Sequence, residues 1–169
     1  MKLLQCSHCL SIGFLILHGF LYGYITAQDS AAKQIKGHRI FCSNRYNKQG
    51  CGKTFSILLS NVIKRVSLCT GLLWKFLKYL FSSVSLQKIT DTFNNGKTIY
   101  SLASFYRLRR KIVQNQHFIR TKLNQICESP PETEKWSVLQ QTIAHLTDAF
   151  SEHTCPVAAF QYHFQTSFV

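Results

Sequence analysis

Four cysteines in two groups carry the most specific chemistry in this sequence. Cys6-Ser7-His8-Cys9 is a C-x2-C pair, and Cys42 and Cys51 follow after 32 intervening residues. Two thiolates at that spacing on a tight turn grip one tetrahedral Zn²⁺ with bonds of about 2.3 Å each. Cys6, Cys9, Cys42 and Cys51 are therefore the candidate metal ligands, and Zn²⁺ is the expected cofactor. His8, His18 and His38 are substitute ligands by residue type, although a His beside such a site more often supports the ligands than replaces one. The string Cys51-Gly52-Lys53-Thr54-Phe55 has the look of a two-Cys two-His finger, but the next histidine is His117, too distant to complete it. Seven cysteines, odd in number and unevenly spaced, do not make a complete disulfide framework. Cys69, Cys127 and Cys155 read as core or bystander thiols.

Bringing the two cysteine groups together is a task for β structure. Two short β-like runs, about 12 to 25 and 35 to 41, are separated by polar Gln28-Asp29-Ser30, which is the layout of a zinc ribbon. Some fifty residues with few branched aliphatics need a metal clip to fold. The N-terminal apolar run Leu10, Ile12, Phe14, Leu15, Ile16, Leu17 after Lys2 has some features of a secretory signal. However, Cys6 and Cys9 occupy the place of its charged region, and Gly19 to Tyr24 suits a bent strand pair better. A membrane-spanning helix is not expected, because about 20 clean apolar residues are needed.

From Leu58 the pattern becomes helical. Leu58, Val62, Val66, Leu72, Leu73, Phe76, Leu77 and Leu80 recur at three- and four-residue spacings among Lys64, Arg65, Lys75 and Lys78, as in an amphipathic helix with one buried stripe. Ser85 caps a short helix of about eight residues, Asn94-Asn95-Gly96 breaks it, and Thr98 is placed to cap the next. Two helices across a short Gly-containing turn make a helix-turn-helix candidate. On its second helix Tyr100, Ser101, Ser104 and Arg107 are expected at the groove, with Arg109, Arg110 and Lys111 on phosphates. In the ribbon, Arg39, Arg45 and Lys53 are the expected phosphate contacts. Ser129-Pro130-Pro131 marks a boundary. Beyond it a helix is expected over about 132 to 150, with Trp136, Leu139, Ile143, Leu146 and Phe150 on one face, and a short last helix from Cys155-Pro156 to Phe164.

The C-x2-C start, the Ile16-Leu17-His18-Gly19 segment and the run Gly37-His38-Arg39-Ile40-Phe41-Cys42 ending in Cys51-Gly52-Lys53-Thr54-Phe55-Ser56 resemble the N-terminal zinc ribbon of bacterial transposases. The whole chain is also similar to short bacterial proteins carrying the Gly-His-Arg-Ile-Phe-Cys-Ser-Asn-Arg string. The transposase resemblance covers residues 1 to about 112 and is specific over 37 to 56. It implies a ribbon followed by a helix-turn-helix, both binding the ends of a mobile element. One departure is that the family's second knuckle is usually C-x2-C, whereas eight residues separate Cys42 from Cys51. The insert holds Arg45, Tyr46 and Lys48, so it reads either as a DNA-touching loop or as a sign of altered metal geometry.

Charge supports a polyanionic partner. Residues 1 to 126 hold 19 Lys/Arg and 2 Asp/Glu, a balance of +17, while residues 127 to 169 hold 1 and 5, a balance of −4. A domain this basic attracts nucleic acid first and an anionic membrane second. The seven acidic residues offer no spaced triad for two-metal phosphoryl transfer, and the chain lacks the length for that domain. No Ser-His-Asp order, phosphate-cradling loop or H-E-x-x-H string is present.

The sequence therefore predicts an α+β protein: a zinc-ribbon module over 1–57, a helical DNA-binding module over 58–127 and an acidic helical tail over 128–169. The tail is expected to pack on the middle helices or to form a homodimer surface. The expected function is non-catalytic, zinc-dependent DNA binding at the bacterial nucleoid in the cytoplasm, with no small-molecule substrate. The rival readings are a secreted or membrane-associated cationic protein and a non-catalytic interaction protein from a mobile element.

Overall fold

The computed structural model describes residues 4–27, 30–64, 66, 68–95, 100–131 and 135–169. It is α+β, a three-stranded antiparallel sheet followed by five helices. Strands β1 (Leu15–Ala27) and β2 (Ser30–Cys42) form a long hairpin whose register shifts between Leu17 and Gly19 and again between Leu21 and Tyr22. Strand β3 (Thr54–Leu58) adds to the other edge of β2, pairing with Gly37–Phe41. Of the apolar run with features of a signal, Leu15, Ile16 and Leu17 open strand β1, and Ile12 bridges to Gln5 in the turn before it. Leu58, expected at the start of a helix, instead ends β3, because the open edge of β2 supplies a hydrogen-bonding partner that local periodicity does not reveal.

Helical structure begins twelve residues later than the periodicity predicts. Val62 pairs with Cys69 in an isolated bridge, and α1 runs over Thr70–Phe81. Helix α2 (Leu86–Asn94) starts as expected at Ser85, whose hydroxyl accepts from the Lys88 amide, and stops at Asn95 in a left-handed conformation. Helix α3 (Leu102–Leu123) is capped by Ser101, not by Thr98, which lies outside the described residues. Asn94 fixes the approach to it: its amide donates to the Tyr100 carbonyl at 2.9 Å and accepts from the Tyr100 amide at 2.8 Å. Helix α4 (Val138–Ala149) opens on a reciprocal capping box between Ser137 and Gln140, so it starts after Trp136 rather than near 132. Glu132 and Glu134, expected in its first turn, lie outside the described residues. Helix α5 (Pro156–Phe164) has Pro156 in its first turn, as expected.

Two apolar clusters result. All five helices share the large one, centred on Phe76 stacked on Phe105 at 5.1 Å, with Phe93 edge-on to Phe105 and Phe160 and Phe168 joining from the C-terminus. The C-terminal segment therefore packs back on the helical middle, and Pro130-Pro131 does not divide two cores. The sheet's own cluster is small: Cys6, Leu15, Ile40 and Cys42 are buried, with Cys9, Phe14, Cys51 and Phe55 against them.

Candidate metal centre and basic surfaces

The hairpin delivers Cys42 at the end of β2, and the turn before β1 delivers Cys6 and Cys9. In that turn the Cys6 amide donates to the Ser11 carbonyl and the Leu10 amide to the Cys6 carbonyl, both at 2.9 Å. The His8 amide points at the Cys6 sulfur, 3.4 Å away, and Leu10 takes a left-handed φ of 60°.

The second group reproduces this turn in spite of its longer spacing. The Gly50 amide donates to the Ser43 carbonyl at 3.0 Å and pinches off residues 44–49 as a side loop. Along the shortened path Cys42-Ser43-Gly50-Cys51, the two cysteines stand as in a C-x2-C pair. Continuing along that path, Gly52 matches Leu10 and Lys53 matches Ser11. The hydrogen bonds match as well: the Gly52 amide donates to the Cys42 carbonyl at 3.0 Å, and the Cys42 amide to the Lys53 carbonyl at 2.9 Å. Gly52 also shares the left-handed backbone, with φ of 72°. A Cβ on Gly50 would lie 2.2 Å from the Ser43 carbonyl oxygen, so the pinch requires glycine. The insert thus leaves the knuckle intact. It carries Arg45 outward, with its guanidinium over the Phe41 ring at 5.5 Å.

The two knuckles face each other. Cys6 Sγ is 3.8 Å from Cys51 Sγ, Cys9 Sγ is 3.7 Å from Cys42 Sγ, and all four sulfurs lie within 4.8 Å of one another. A tetrahedral ion with metal–sulfur bonds of about 2.3 Å spans sulfurs about 3.8 Å apart, so the cluster fits a single metal ion. All seven cysteines are free thiols. Without metal, Cys9 and Cys42 are unequal. Hydrogen bonds from the Ser11 side chain and backbone lower the Cys9 thiol to about 6, whereas burial pushes Cys42 up to about 12. Cys6, Cys9, Cys42 and Cys51 are thus brought together as expected. His8 packs edge-on to Phe55, and His18 and His38 lie beside Phe41 and Phe20; none belongs to the ligand group. Cys127 and Cys155 are half-buried, and burial raises the Cys127 thiol. Cys69 is the residue before α1.

The expected DNA contacts are placed less uniformly. Arg39, on β2, and Lys53, in the second knuckle, are exposed. On α3, Ser104, Arg107 and Lys111 lie on one outward ridge with Arg110 beside it, opposite the buried Phe105, Leu108 and Ile112. Arg109 is exposed but turns toward the edge of the buried stripe. Ser101 and Ser104 bond each other at 2.8 Å and cap the helix, so their first role is structural. Tyr100 requires a correction. It is 7% exposed and packed among Phe93 and Phe105, so it cannot face a groove. Its place just before α3 aims the ring inward. Residues 95–101 join α2 to α3, a longer connection than the three- or four-residue turn of a helix-turn-helix. Among the described residues, no helix is long and apolar enough to cross a membrane.

Sequence reasoning missed three polar residues buried by the fold. Gln116 donates to the Thr142 hydroxyl at 3.0 Å, His145 Nε2 meets the Cys127 carbonyl at 3.1 Å, and Gln161 holds two carbonyls. No local signal marks them, since their partners lie 18 to 101 residues away in the chain. Comparison of the chain with protein-family models, with curated proteins and with solved structures found no match.

Proposed function

We propose that this protein is a non-catalytic, zinc-dependent DNA-binding protein whose ribbon and third helix both touch the polyanion. The observation that carries the reading is the paired-knuckle sulfur cluster lying within a segment of charge +17. Four thiolates at tetrahedral spacing favour Zn²⁺, with no open position for a reacting water, which is the character of a structural site. Zinc would fix the ribbon and so set the positions of Arg39, Arg45 and Lys53. Arg107, Arg110 and Lys111 supply the second basic surface, as phosphate contacts from an exposed helix face rather than from a tight helix-turn-helix. The resemblance to the transposase ribbon favours a mobile-element origin.

The test combines elemental analysis with fluorescence anisotropy on labelled duplex DNA. One zinc per chain is expected, lost in Cys6→Ser and in Cys51→Ser. Six phosphate contacts predict an affinity falling about 10³-fold between 50 and 200 mM salt. Arg107→Ala and Lys111→Ala should each weaken binding and flatten that salt slope. Absence of zinc, or no binding to DNA, duplex or single-stranded, at 50 mM salt, overturns the reading.

A further inference from the structure

The hairpin carries aromatic side chains that neither the metal centre nor the basic contacts use. Phe20, Tyr22 and Tyr24 alternate along β1 and therefore stand on one face. They are 46%, 59% and 64% exposed, with Phe20 and Tyr22 ring centroids 6.4 Å apart. Across the hairpin they pair with His38, Ile35 and Lys33. His38 leans on Phe20 at 5.4 Å, and the Lys33 ammonium sits over the Tyr22 ring at 5.7 Å. Three large rings in a row facing water mark a binding surface, since solitary exposed apolar residues are ordinary but contiguous ones are not.

We propose that this face is a stacking platform for unpaired bases, so that the substrate of the protein is single-stranded or unwound DNA. This rests on the DNA-binding reading above and narrows it. The ladder is one ring wide and three long, which matches a linear ligand offering one flat group per step. Bases inside a duplex hide their faces against one another, whereas unpaired bases present them to aromatic rings. The charge agrees: Asp29 is the sole acidic residue between residues 1 and 90, and Lys33, paired with Tyr24, stands on the same face as the rings. Lys33 joins the two functions, its ammonium lying over the Tyr22 ring where a phosphate flanking a stacked base would pass.

The test uses the full zinc-loaded chain with labelled dT20 and a duplex of equal length, and the variants Phe20→Ser, Tyr22→Ser and Tyr24→Ser. These side chains are exposed, and unchanged zinc content and helical circular dichroism will verify folding. Each variant should lower dT20 affinity at least about fivefold, with duplex affinity within twofold of the parent. Binding of duplex but not dT20 overturns this inference and leaves the DNA-binding reading intact; binding of neither ends both. Unchanged dT20 affinity in all three variants overturns the platform. If those same variants lose binding to vesicles containing anionic lipid, or lose self-association, the face belongs to a membrane or to a second copy instead.

Discussion

At the residue scale, two thiols of the candidate metal centre, Cys9 and Cys42, enter binding from different protonation states. Ser11 holds Cys9 near 6, so at neutral pH Cys9 is already a thiolate. Burial holds Cys42 near 12, so at the same pH it keeps its proton. A metal ion takes thiolate, and binding must expel whatever protons the ligands retain. Cys42 therefore releases one proton per ion at any pH between about 6 and 12, while Cys9 adds to the release only below about 6. The apparent association constant for Zn²⁺ is expected to rise at least tenfold per pH unit between 6.5 and 8. Competition against a chromophoric chelator across that range measures it, and titration calorimetry in two buffers counts the protons. A constant independent of pH would mean that Cys42 is not a ligand, or is not protonated beforehand.

At the element scale, a single amide ties the last helix to the chain that follows the sheet. Gln161 on α5 is buried, donates to the carbonyls of Ser60 and Val62 at 2.8 and 3.0 Å, and accepts from the Phe168 amide at 3.0 Å. Gln161→Ala strands these three backbone groups. It is expected to cost about 3 kcal/mol, lowering Tm by roughly 10 °C in a chain of this length. Tyr162→Ala, next in sequence but 72% exposed, should change stability by less than about 0.5 kcal/mol. Equal melting temperatures for the two variants would show that the amide is replaceable by water. Elements with local stop and start chemistry were readable in the sequence: Ser85 before α2, Asn95 after it and Pro156 in α5. Gln161 was not, because a glutamine on a short helix looks like any solvated position until the distant carbonyls arrive. Strand β3 escaped for the same reason, its identity being set by the edge of β2. The ligand set was legible from Cys6-Ser7-His8-Cys9 and the second pair. The sameness of the two knuckles was hidden, because it depends on Ser43 meeting Gly50 across the side loop. Tyr100 was misread because the helix was expected to start from a cap at Thr98, whereas α3 starts at Leu102 behind the Ser101 cap and leaves Tyr100 outside the helix.

At the scale of the whole molecule, stability is divided unequally between two cores. Among the described residues, the helical core holds 21 buried apolar residues, whereas the sheet's own cluster holds four, two of which are Cys6 and Cys42. Burial of four residues falls short of the ordering entropy of some fifty, so a metal ion held by the four cysteines is expected to stabilise the sheet and to matter little to the helices. Removal of the metal by a strong chelator under reducing conditions is therefore expected to have a local effect. The far-ultraviolet helical signal should be largely retained, and a cooperative thermal transition of the helices should persist. Amide protection of β1, β2 and β3 should disappear, including the long hairpin register from Leu15↔Cys42 to Tyr24↔Lys33. Hydrogen exchange read by mass spectrometry resolves the two regions in one sample. Affinity for DNA should fall with loss of the ribbon, yet retain the part due to Arg107, Arg110 and Lys111, whose helix stays folded. Global loss of helical signal on chelation would show that the two cores fold as one unit, with the metal stabilising both. Full protection of the strands without metal would show that apolar packing and the hairpin hydrogen bonds suffice, and would leave the sulfur cluster without a structural role.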